Sequence, residues 1–183
     1  MVIKLPKGFL PAELQEQWVL RKAREDFWWF VYFMSGFTKE LMPIHQEWVD
    51  AINDDAHQYI NISTFPGCGK TTIIQYWIAW KIGREPYLTF MLLSASEEQA
   101  SSRLMAIRSL IEHDDSYKLV FPHIHKDSRR KNDSLMLNIW SERWRYDSKE
   151  KLSYTSWRTQ LGRFGELKDA TLAAFGITSN RVL

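Results

Sequence analysis

The sequence predicts an α/β fold in which helices cover both faces of a mainly parallel central sheet. Three observations predict it. Tyr59-Ile60-Asn61-Ile62-Ser63 alternates as a strand does, and it ends where a glycine-bearing loop opens an amphipathic helix. Leu88-Thr89-Phe90-Met91-Leu92-Leu93 is nearly continuous in apolar character, as a strand buried on both faces would be, and a second helix follows it. Thr171-Leu172-Ala173-Ala174-Phe175-Gly176-Ile177 then returns to strand-like character. The order strand, loop, helix, strand, helix belongs to parallel sheets with right-handed crossovers.

Glu13 to Met34 reads as one helix, polar in its first half and aromatic in its second, with Gly36 as terminator. Met42-Pro43-Ile44-His45-Gln46 leads into a short helix with Trp48, Val49 and Ile52 on one side, and Asn53-Asp54-Asp55 is a loop. From about Lys70 to Gly83 a helix carries Ile73, Ile74, Trp77, Ile78 and Ile82 as an apolar stripe. Arg84-Glu85-Pro86 is a turn. Ser96 is placed to cap the helix that begins with Glu97 and Glu98, whose buried face is Leu104, Ile107, Leu110 and Ile111.

Regularity fails from His113 to Asp169. Basic residues outnumber acidic ones between Lys126 and Arg163, and Trp140, Trp144, Tyr146, Tyr154 and Trp157 are interspersed. A structureless loop of that length inside a compact domain is uncommon, so the stretch reads as a basic insertion with structure of its own. The domain reading is an N-terminal helical segment over 1–58 and a sheet-bearing core over 59–183, with the insertion at about 113–169.

The 183 residues suffice for one domain with a real core, and an apolar fraction of 45% with 25% charged residues is that of a globular protein. A net charge of +2 does not by itself call for a polyanionic partner. The lone Cys68 excludes an internal disulfide and fits a reducing cytoplasm. Met1 to Pro11 lacks the apolar run of a signal peptide. Phe27 to Met34 is intensely apolar but too short to span a bilayer, and charged residues precede it directly, so no membrane partner is expected. Trp28 and Trp29 are expected to pack the helix rather than stack on a ligand. His113, His123 and His125 stand at no metal-binding spacing with cysteines or acids.

The chemistry is concentrated in Thr64-Phe65-Pro66-Gly67-Cys68-Gly69-Lys70-Thr71. Gly67 and Gly69 permit the positive φ angles that turn successive N–H groups inward around phosphate oxygens, and the helix that follows presents its N-terminal dipole to the same anion. Lys70 can reach the β- and γ-phosphates of a nucleoside triphosphate, and the Thr71 hydroxyl can ligate Mg²⁺. The loop departs from the G-x-x-x-x-G-K-[ST] pattern at its first position, where Thr64 stands. A strand–turn–helix with a chance Gly-Lys-Thr is the competing reading. With Thr64, Pro66, Gly67, Cys68, Gly69, Lys70, Thr71 and Thr72 as nucleotide-binding residues, the core is expected to be a three-layer fold of the P-loop NTPase type. Alkylation of Cys68, inside the loop, should block nucleotide.

In sequence order, the aromatic helix Phe27–Met34, the Pro43-Ile44-His45-Gln46 element, the loop Pro66–Thr71, Leu93-Ser94-Ala95-Ser96 and Ala170–Thr178 resemble the N-terminal ATPase portion of the large terminase subunit of tailed bacteriophages. The resemblance runs from about Asp26 to Leu183 and is weakest through the basic insertion. It implies ATP and Mg²⁺ as cofactors, held by Lys70 and Thr71, which are also the catalytic candidates. It implies that Gln46 reads the adenine edge, for which its amide offers a donor and an acceptor; a surface glutamine is the alternative. It implies Ser94 and Ser96 at a strand's carboxyl end, where open α/β sheets place their sites.

The further implications are a double-stranded DNA partner, a small terminase subunit, a portal, a homo-oligomeric packaging ring and the cytoplasm of a bacterial host. Where some family members carry a loop arginine this chain has Pro66, so an arginine finger must come from elsewhere, with Arg103 and Arg108 as candidates alongside a plain solvated role. The family's consecutive acids, one for Mg²⁺ and one for water, are expected just beyond Leu183, and its nuclease domain lies further on. The chain is therefore expected to be part of a motor that binds Mg-ATP but hydrolyses it only when completed. Asp54-Asp55 and Asp114-Asp115 do not follow a strand as such acids should. Arg129, Arg130 and Lys131 are candidate DNA contacts, with a solvated basic face as the equal alternative. The other functional readings are a helicase-like P-loop translocase and a non-catalytic nucleotide-binding module.

Overall fold

The computed structural model describes residues 12–36, 42–54, 56, 59–86, 88–126, 136–137, 139–141 and 171–177. The chain forms two compact units, Met1–Trp80 and Lys81–Leu183.

The first unit holds helices α1 (Ala12–Glu25), α2 (Phe27–Met34), α3 (Pro43–Asn53) and the greater part of α4 (Lys70–Arg84). The single helix expected over Glu13–Met34 is broken at Asp26. Its extended backbone lets the carboxylate accept from the N–H groups of Trp28, at 2.7 Å, and Trp29, at 3.4 Å. These are the groups a helix start leaves without acceptors, so the aspartate ends one helix and caps the next. Gly36 ends α2 as expected: at φ 65° its N–H reaches the Phe33 carbonyl at 3.0 Å.

The aromatic run fills the core of this unit. Phe27, Phe30 and Phe33 are buried, Trp80 packs edge-on to Phe27, and Tyr76 does the same to Phe30. Trp28 and Trp29 are half-buried. On α3, Trp48 and Val49 are buried, and Asn53 accepts from the Trp77 indole N–H at 3.2 Å. Helix α4 is therefore seated against α2 through Tyr76 and Trp80 and against α3 through Trp77.

The second unit is built on β1 (Phe90–Ser94) and β5 (Leu172–Gly176), which pair in parallel from Phe90↔Leu172 to Ser94↔Gly176. The short β3 (Met136–Leu137) joins the other edge of β5 antiparallel, giving the order β1-β5-β3. A separate antiparallel pair joins β2 (Ile124–Lys126) to β4 (Ile139–Ser141). Part of the expected irregular stretch is thus regular, and it also contains α6 (Asp115–Val120).

Helix α5 (Glu97–His113) packs on β1 and β5 with Ala100, Leu104, Ile107 and Ile111 buried. Ser96 caps it as expected, accepting from the Gln99 N–H at 3.3 Å. Gly176 faces the start of this helix so closely that a Cβ there would lie 2.4 Å from the Glu97 nitrogen. At the far end of the unit, a Cβ on Gly83 would strike the Phe121 ring, and His123 Nε2 meets the Gly83 carbonyl at 2.9 Å.

Strand β1 differs from expectation. It is not buried on both faces, because Met91 is 62% and Leu93 52% exposed while Phe90, Leu92 and Ser94 are half-buried on the face that α5 covers. An apolar run encodes the capacity for two-sided burial, and only the neighbours decide whether both sides are used. The segment 59–63 likewise forms no ladder among the described residues, with Tyr59 92% and Ile60 41% exposed. Its alternation specifies a strand that needs a partner edge to exist. Among the described residues, no helix is long and apolar enough to cross a membrane.

Candidate functional site

The loop that the sequence singles out lies within the first unit, between residue 64 and the start of α4. Gly67 stands at φ 86° and Gly69 at φ 82°, both in the left-handed region that a side chain disfavours. A Cβ on Gly67 would meet nothing within 4 Å, so that glycine serves backbone conformation and not clearance. The Gly69 carbonyl accepts from the Ile73 N–H at 3.0 Å and closes the first turn of α4. The N–H groups of Thr71 and Thr72 lie in that first turn, where a helix leaves them without intrahelical acceptors. Both side chains are exposed. Lys70, the first helical residue, is half-buried, and its Nζ lies back over the loop at 3.4 Å from the Ile62 carbonyl.

Thr64, at the position where the pattern has glycine, is half-buried. Its hydroxyl favours the thiolate of Cys68, whose side chain is buried. Burial pushes this thiol's pKa up. The Thr64 hydroxyl, the Lys70 backbone N–H, the Lys70 ammonium and the thiol's own backbone N–H outweigh burial together, and the net shift is downward.

Helix α3 holds the loop. His45 is 7% exposed, and its Nε2 lies 2.7 Å from the Cys68 carbonyl oxygen. The Met42 N–H donates to His45 Nδ1 at 3.2 Å, so Nδ1 is the unprotonated nitrogen and Nε2–H is the donor to the loop. The ring packs edge-on to Trp48 at 5.1 Å between centroids. Gln46, the next residue, is exposed near the start of the same helix.

The remaining candidates are dispersed. Ser94 donates to Gln99 Oε1 at 3.0 Å, so both serines organise the start of α5 within the second unit. Arg108 is engaged with Glu112 at 3.2 Å, the side chains being 15% and 7% exposed, which is an internal ion pair and not a solvated helix-face charge. Arg103 is exposed. Asp114 accepts from the N–H groups of Ser116, at 2.8 Å, and Tyr117, at 3.2 Å, as the cap of α6. Asp115 is exposed and pairs with Lys118. Asp54 accepts from the Ala56 N–H at 3.0 Å, while Asp55 lies outside the described residues. Arg129, Arg130 and Lys131 also lie outside them. Among the described residues, no three His, Cys, Asp or Glu side chains converge as a metal site.

No protein-family model matches the chain, and no curated protein or solved structure matches it.

The roles of His45 and of the Thr64 hydroxyl are not apparent from sequence. A histidine three residues after Met42 is consistent with a reciprocal helix-start contact, but nothing local says that its other nitrogen meets residue 68.

Proposed function

We propose that this chain binds a nucleoside triphosphate with Mg²⁺ through the loop Thr64–Thr72, on a three-layer fold of the P-loop type. One observation carries the reading: two left-handed glycines, Gly67 and Gly69, run directly into α4, whose first residue is Lys70. The open space beside Gly67 and the N–H groups of the first turn suit a phosphate group. Lys70 would meet the phosphates, and Thr71 would supply a hydroxyl to Mg²⁺, whose charge would offset that of the triphosphate. Gln46, exposed one residue from the loop-contacting His45, would meet the base.

The finer reading is the ATP-binding portion of a phage DNA-packaging motor of the terminase large-subunit type. It would act on double-stranded DNA in the host cytoplasm, in a ring with a small subunit and a portal. What supports it is the resemblance of the aromatic helix, the Pro43–Gln46 element, the loop, and the Leu93–Ser96 and Ala170–Thr178 segments.

Calorimetry with Mg-ATP tests the binding reading. Lys70→Ala removes a charge-assisted contact to a polyanion, and its affinity should fall at least tenfold, corresponding to about 1.5 kcal/mol or more. Equal affinity of the folded variant and the wild type would remove the phosphate-loop argument.

A further inference from the structure

We propose that His45 is a positioning residue that locks the orientation of the Cys68–Gly69 peptide unit and so keeps the loop in its anion-accepting form. The proposal deepens the phosphate-loop reading and rests on it for its nucleotide consequence. No described peptide bond is cis, so the Cys68 carbonyl and the Gly69 N–H point to opposite sides of their shared plane. Because His45 Nε2–H holds that carbonyl at 2.7 Å, the Gly69 N–H is directed away from α3.

Without this anchor, the peptide unit is bordered by a glycine at φ 82°, whose backbone can reach other conformations at little steric cost. Rotating it by half a turn would present a carbonyl oxygen, the negative end of the dipole, where the N–H had been. Such a loop repels phosphate. The anchor is itself set: the Met42 N–H fixes the tautomer, the Trp48 ring fixes the imidazole plane, and α3 carries all three residues or their immediate boundary. A Cβ on Gly69 would lie 3.7 Å from His45 Nε2, so helix and loop are in close register at this point.

Two substitutions divide the two nitrogens of the ring. In His45→Gln the amide nitrogen falls near the Nε2 position and can still donate to the Cys68 carbonyl. In His45→Asn the amide reaches only the Nδ1 position and cannot donate to the loop. Cys68 is the sole cysteine, so the rate of thiol alkylation by iodoacetamide reads loop closure at one site without nucleotide. Mg-ATP affinity by calorimetry reads the consequence.

The expected result is that His45→Gln stays close to wild type in both readouts. His45→Asn should be alkylated severalfold faster and should bind Mg-ATP roughly tenfold more weakly. Wild-type behaviour of His45→Asn overturns the proposal. So does equal perturbation by both variants, which would assign the role to ring packing on Trp48. If the alkylation pattern appears but the wild type binds no Mg-ATP, the lock on the loop stands and the nucleotide reading fails. Should His45→Asn not fold, nitrogen-15 spectra of the wild-type imidazole still decide: the Nε2–H tautomer is expected, and an Nδ1–H tautomer overturns the lock.

Discussion

The indole N–H of Trp80 donates to the carbonyl oxygen of Ala23 at 3.0 Å, and both groups are buried. The two residues are 57 positions apart in the chain. Ala23 lies in the last turn of α1, where carbonyls lack intrahelical donors, so a side chain on α4 completes what the end of α1 leaves open. The helix that follows Gly67 and Gly69 is thereby tied to α1.

Replacing Trp80 with Phe keeps an aromatic ring near Phe27 but strands the Ala23 carbonyl. The expected loss is about 2 kcal/mol, from an unsatisfied buried acceptor and reduced side-chain volume. Trp77→Phe removes a more exposed bond to Asn53 and should cost under about 1 kcal/mol. Urea denaturation of the two variants measures the difference, and equal losses would deny the Ala23 contact its role.

The Cys68 thiol should show a pH profile of alkylation whose midpoint lies below that of an ordinary cysteine. Thr64→Val removes one of the contributions that lower the pKa while burial, which raises it, remains. The midpoint should therefore move up, and at neutral pH the thiolate fraction and the alkylation rate should fall. A faster reaction in Thr64→Val at neutral pH would mean that the hydroxyl shields the sulfur and does not stabilise the thiolate.

Asp114 distinguishes a cap from a catalytic acid. Asp114→Ala should destabilise the chain by about 1 kcal/mol, while Asp114→Asn, which retains a capping oxygen, should cost a few tenths. Neither should alter Mg-ATP binding. If Asp114→Asn abolishes an ATPase activity that Lys70→Ala also abolishes, the carboxylate is chemical and the capping account is insufficient.

Neutralising Arg129, Arg130 and Lys131 together should weaken double-stranded DNA binding. It should also reduce the slope of log affinity against log salt by about 0.9 for each DNA phosphate that these residues neutralise in the wild type. Filter binding across a salt series reads the slope directly. An unchanged slope assigns these three residues to a solvated face.

Elements whose signals lie within a few residues are legible in the sequence. Gly36 stops α2, Ser96 starts α5, and Lys70 follows the glycines that need positive φ, because capping and backbone preference are exchanged between near neighbours. The break at Asp26 is of the same kind: an aspartate before an aromatic run is a cap signal, overridden by the longer helical reading on either side. A mainly parallel sheet is expected from the alternation of strands and helices, but neither the partnership of β1 with β5 nor its register is readable from the sequence.

Tertiary structure alone decided whether a strand-like segment becomes a strand, and which of its faces is covered. Residues 59–63 alternate without pairing among the described residues, and Met91 and Leu93 are as apolar as Leu92 yet stand exposed. It also decided that the one-turn pair of Arg108 with Glu112 is covered from solvent and that His45 meets the loop 23 residues away. The physical reason is range. A cap or a turn is satisfied by atoms the chain places adjacent by covalent geometry, whereas a ladder, the burial of an ion pair or a side chain holding a distant carbonyl exists only once another element has packed beside it.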